Sequence, residues 1–67
     1  MSVARVTELS CTSTESFEDA IKEGISRANK TLRQVRSAWV KEQRVMVSRE
    51  GAIEFQVNVL VTFVLDD

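Results

Sequence analysis

The chain has 67 residues, 43% of them hydrophobic, and nine Lys and Arg against ten Asp and Glu give a formal net charge of −1. That length allows one small domain, 1–67, near the lower limit for a self-sufficient hydrophobic core. The near-balance of charge, with no basic stripe, leaves nucleic-acid binding without an electrostatic basis.

Small domains usually need a staple: disulfides, a structural metal or partner subunits. With one cysteine, Cys11, and no histidine, an intrachain disulfide is excluded and a zinc site has no ligand set. Partner subunits remain. The N-terminal stretch has no apolar core of signal-peptide length, and no run reaches membrane-spanning length. A lone thiol suits a reducing compartment, so a soluble cytoplasmic protein without a membrane partner is expected.

In chain order, "VARVTEL" (3–9) mixes β-branched and polar residues and predicts a first strand. "SCTSTES" (10–16) reads as a hydroxyl-rich connection, and Ser16, three residues before Asp19, predicts a helix cap. Phe17, Ala20, Ile21, Gly24, Ile25, Ala28, Leu32 and Val35 then recur at helical spacing, predicting a helix over 17–35 with one apolar stripe. Glu18–Lys22 and Glu23–Arg27 support it as pairs four apart. Gly24 lies on the stripe, where glycine costs about 1 kcal/mol relative to alanine, so a close approach to the covered surface is expected there. "AWVKEQRVMVS" (38–48) predicts a second strand and "REGA" (49–52) a hairpin turn. "IEFQVNVLVTFVL" (53–65) predicts a long third strand whose odd positions are all apolar. The tail, Asp66 and Asp67, reads as solvated. The order β-α-β-β predicts an α+β fold, one helix packed on a three-stranded antiparallel sheet.

A strand over 53–65 spans roughly 43 Å, whereas a helix over 17–35 is only about 28 Å long. The helix leaves part of the apolar face bare. Along the other face Glu54, Gln56 and Asn58 give way to Leu60, Thr62 and Val64. Surface of that kind predicts self-association.

The catalytic inventory is poor. Without histidine the commonest general base is missing and Ser-His or Cys-His activation is excluded. The adjacent carboxylates Glu18/Asp19 and Asp66/Asp67 suit solvated positions better than an acid–base pair. The chain is not expected to be an enzyme. Trp39 and Gln56 offer a different chemistry: an indole face stacks flat rings, and a carboxamide presents a donor and an acceptor to a heterocycle edge. The hairpin places Gln56 beside 43–46, several residues from Trp39, so the two need not meet within one subunit. They can meet across a symmetric interface. The residues alone favour Trp39 as an interface anchor and Gln56 as a solvent-face residue, with a stacking site as the alternative.

"ELSCTS", "FEDAIKEGISRANKTLR", "VKEQR" and "FQVNVLVTFVLDD", in this order and without gaps, resemble the dodecins across nearly the whole chain. The resemblance implies a dodecin-like fold and a hollow spherical homododecamer. It implies binding and storage of a flavin, riboflavin or flavin mononucleotide, without turnover, the ring stacked on tryptophan and met at its edge by a glutamine. Gln56 matches that glutamine. The family's tryptophan position falls on Ser37, and Trp39 comes two residues later, on the same face but roughly 6–7 Å along the strand. The expected ligand residues are therefore Trp39, Gln56 and Ser37. The family also includes a calcium-binding type, so a flavin-free assembly with a structural or calcium-binding role is the alternative; no metal ligands can be assigned from the sequence.

Overall fold

Apolar side chains at every odd position from Ile53 to Phe63 commit one face of a strand to a core, and the fold is organised around that strand. The computed structural model describes residues 3–32 and 34–65; the tail residues Asp66 and Asp67 lie outside it. The elements are β1 (Ala4–Ser13), α1 (Phe17–Thr31), β2 (Val35–Val47) and β3 (Ile53–Val64). They form one three-stranded sheet in the order β1-β3-β2, antiparallel throughout. The expected α+β arrangement of β-α-β-β is the one found.

Within the sheet, β3 is the central strand, and its odd positions define the face that α1 covers. Val57, Val59 and Val61 are fully buried, at 0% exposure, with Ala20 and Cys11 packed around them. Leu9, Phe17, Ile21, Leu32, Val35 and Ala38 close the core's margin. At the α1 N-terminus the Phe17 ring meets Phe55 edge-on, centroids 5.0 Å apart. The close approach expected at Gly24 also holds. A Cβ placed there would collide with the Sγ of Cys11.

Three boundaries differ from the sequence expectation, each for a physical reason. The first strand runs to Ser13 instead of ending at residue 9. Its hydroxyl-rich end imitates a loop in composition, yet it alternates like a strand. Cys11 and Ser13 are buried, while Ser10 and Thr12 face away. Pairing continues through Ser13↔Phe55. The helix ends at Thr31, with Leu32 as its C-cap donating to the Ala28 carbonyl at 2.7 Å. Gln34 then takes a left-handed φ of 53° and turns the chain, so that Val35 already pairs with Phe63 in β2. Leu32 and Val35 both pack on the core, which is why helical spacing persists in the sequence beyond the helix itself.

The predicted cap at Ser16 is present. Its Oγ accepts from the Asp19 amide at 2.9 Å, and Ser13 Oγ donates to the Asp19 carboxylate at 2.6 Å. Replacing Ser16 with alanine leaves an orphan helix amide, and the expected loss is about 1 kcal/mol, measured as a lowered denaturant midpoint.

As the sequence anticipated, α1 does not cover the sheet. Its 15 residues reach about 22 Å, against roughly 40 Å for the 12 residues of β3. Beyond the helix, the β2–β3 hairpin carries Val45, Val47 and Ile53 exposed. The hairpin closes through Gly51, whose φ of 86° requires glycine and whose amide donates to Ser48 O at 3.0 Å.

Candidate functional site

Because side chains alternate along a strand, the even positions of β3 face away from α1. The register brings Trp39 opposite Leu60, Ser37 opposite Thr62 and Arg44 opposite Gln56 on that open face. From β1, Val6 faces Thr62, Glu8 faces Leu60 and Ser10 faces Asn58. The open face thus divides into two zones.

One zone is apolar and aromatic. Trp39 is 75% exposed, and Val6 across the sheet is 55% exposed. Leu60 lies between the two edge strands. The hydroxyls of Ser37 and Thr62 border this zone, so Ser37 and Trp39 do share a face, as their spacing required. An indole presented this way offers its ring to whatever docks beside it.

The second zone is polar and tied together. Arg44 Nε donates to Gln56 Oε1 at 2.7 Å, and Gln56 Nε2 donates to Ser10 Oγ at 2.7 Å. The Gln56 carboxamide is therefore fixed in orientation from both sides of the sheet. Glu42, Gln43, Arg44, Gln56 and Asn58 line a hollow of about 170 Å³. An irregularity in pairing between Val40 and Glu42 frees Lys41, whose Nζ lies 3.2 Å from Glu8 Oε1. To reach Glu8 the lysine side chain crosses β3 at the level of Asn58 and Leu60, joining the two edge strands over the open face.

Gln56 and Leu60 are separated by about 13 Å along β3, so one copy of the chain does not bring Trp39 and Gln56 together. Sequence reasoning anticipated this from the hairpin. It missed Arg44, Ser10 and Asn58. Arg44 is the register partner of Gln56, a signal available once the turn at 49–52 is fixed. Asn58 was visible as a polar residue at an even position. Ser10 could not be found while residues 10–16 were read as a loop.

On the opposite face, Cys11 is 6% exposed, and burial pushes its thiol pKa up from the ordinary value. A protonated, enclosed thiol is a packing group and a poor nucleophile. Among the described residues no group of three or more His, Cys, Asp or Glu is placed to hold a metal ion within one copy. Nor does any described helix have the length and apolarity to cross a membrane.

The Dodecin family model matches residues 3–66. The chain belongs to the dodecin family. It is 40% identical over 65 residues to a dodecin of Thermus thermophilus, covering 97% of this chain and 94% of that protein. It is 35% identical over 63 residues to a calcium dodecin of Mycobacterium tuberculosis, covering 94% and 89% respectively. Solved structures agree. A variant of the Thermus thermophilus dodecin superposes with a TM-score of 0.92 at 39% identity, covering 100% of this chain and 98% of that one. The calcium dodecin of Mycobacterium tuberculosis, described as calcium-chelating with a novel calcium-binding site, gives 0.89 at 31% identity, covering 96% and 91%. The similarity to dodecins thus spans all four elements of the fold.

Proposed function

We propose that this chain, as a single dodecin-like unit over 1–67, assembles into a hollow homododecamer in the cytoplasm. The particle binds and stores a flat aromatic ligand, a flavin such as riboflavin or flavin mononucleotide, without turnover. The observation that carries the reading is the division of the open face. An exposed Trp39 platform, bordered by Ser37, lies well apart from a Gln56 carboxamide held rigid by Arg44 and Ser10. A flavin ring that stacks on one and meets the other at its edge does so when a second copy supplies the missing half. Self-association also covers the apolar surface that α1 leaves bare.

Stacking on an indole contributes about 1–3 kcal/mol per ring by comparison with nucleobases, so Trp39→Ala is expected to weaken flavin binding by roughly 5- to 150-fold. Titrating riboflavin while following its fluorescence measures this: the wild type quenches it, and Trp39→Ala fails to quench while keeping the assembled mass. Absence of quenching by the wild type refutes the flavin reading.

Similarity to a calcium dodecin favours a second reading, a flavin-free assembly that holds calcium between copies. Under that reading calcium raises the melting temperature of chelator-treated protein, riboflavin does not, and Trp39→Ala weakens the oligomer.

A further inference from the structure

Asn58 sits in the middle of the central strand, where β-branched and aromatic residues fit best and asparagine is disfavoured. Its neighbours along β3 on the core side, Val57 and Val59, are fully buried. The Asn58 Oδ1 atom is itself sealed from solvent and has no hydrogen-bond donor among the described residues. Buried polar atoms are nearly always paired, and an unpaired one carries a desolvation cost that an apolar side chain would not.

The donors around it are directed elsewhere, and none among the described residues reaches it. Arg44 Nε is taken by Gln56, the Gln56 amide by Ser10, and the Lys41 ammonium by Glu8. Glu42, its partner across the strand pair, is an acceptor. Gln56, the residue that resemblance nominates, is therefore engaged at both ends of its carboxamide, whereas the Asn58 oxygen has no partner among the described residues. Both line the same hollow, rimmed by the long, exposed side chains of Glu42 and Arg44. The Glu42 side chain can swing aside without moving the backbone or breaking the Arg44–Gln56 bond.

We infer that Asn58 is a specificity-determining residue of the open-face site, its carboxamide oxygen accepting a ring N–H of the bound heterocycle. The inference rests on the ligand-binding reading above. It assigns the ligand a chemistry: a flat ring system with an amide- or imide-type N–H at the edge that enters the hollow. A ring bearing an N-alkyl group at that position leaves the acceptor unpaired and adds a steric clash.

Riboflavin and its N3-methyl analogue separate the possibilities in a fluorescence titration of assembled protein. The wild type is expected to bind riboflavin about tenfold more tightly than the methylated ring. Asn58→Val is expected to bind the two alike, near the affinity the wild type shows for the analogue, and to melt at a higher temperature because the unpaired acceptor is gone. Asn58→Leu, close to asparagine in shape and without an acceptor, is the second variant should valine alter the assembly. Equal binding of both rings by the wild type, or a preference that survives in Asn58→Val or Asn58→Leu, overturns the inference and leaves the flavin reading standing. Failure of the wild type to bind either ring overturns both.

Discussion

Gly24→Ala is expected to destabilise the protein by about 1–2 kcal/mol, although alanine is the better helix former. The propensity gain is about 1 kcal/mol. Against it, the new methyl collides with Cys11 Sγ, a buried atom of a β1 residue locked into pairing with Val57. Overpacking of this kind costs about 1–3 kcal/mol, and at direct contact with a held sulfur the upper part of that range applies. Cys11→Ala removes the sulfur. The remaining Cβ of residue 11 would lie 3.3 Å from the new methyl, tight by only a few tenths of an ångström. The double variant is therefore expected to be more stable than Gly24→Ala alone, with a coupling above about 1 kcal/mol. A double-mutant cycle of urea midpoints measures it; additive effects would show that the helix and β1 are not in the contact described.

Val59→Ala is expected to cost about 2–4 kcal/mol, the loss of two buried methyl groups plus the cavity left between α1 and the sheet. Val59 is at 0% exposure and pairs with Leu9 on one side and Val40 on the other, so little can relax into the gap. The informative comparison is Val47→Ala, an identical truncation at 67% exposure on the bare end of the same face. In an isolated chain it changes stability by less than about 0.5 kcal/mol. If other copies cover the hairpin, Val47→Ala leaves the core intact and raises the concentration below which the particle falls apart, which dilution followed by light scattering detects.

Much of this architecture was legible in advance, because the signals that mattered were periodic. The odd-position apolar run of β3, the three-and-four spacing from Phe17 to Ala28, and the glycine of the 49–52 turn each state a local geometry that tertiary packing did not override. The end of the helix was not legible. Leu32 and Val35 satisfy a helical stripe and also satisfy the core after a left-handed turn at Gln34, and apolar spacing does not distinguish the two. The end of β1 was hidden for a related reason: serine and threonine serve loops and strand faces alike, and only pairing with β3 decides between them. For the site, sequence reasoning placed Trp39 and Ser37 on one face and kept Gln56 apart from Trp39, all of which depends on counting along a strand. Arg44 follows from the hairpin register once the turn is fixed, whereas Ser10 depends on which strands are neighbours, and that order is a property of the folded sheet.

The order β1-β3-β2 also bears on how the chain acquires its structure in time. Both edge strands precede their shared partner in the sequence, and β1 reaches across the whole molecule to pair, from Ala4 to Val64. A nascent chain that has not yet emerged past residue 53 holds a helix and two strands with nothing between them to pair with. The local hairpin of β2 and β3 is the part that can close first. The first ten residues of the fold thus wait for the last strand, and the core sets only when β3 arrives to be enclosed from both sides.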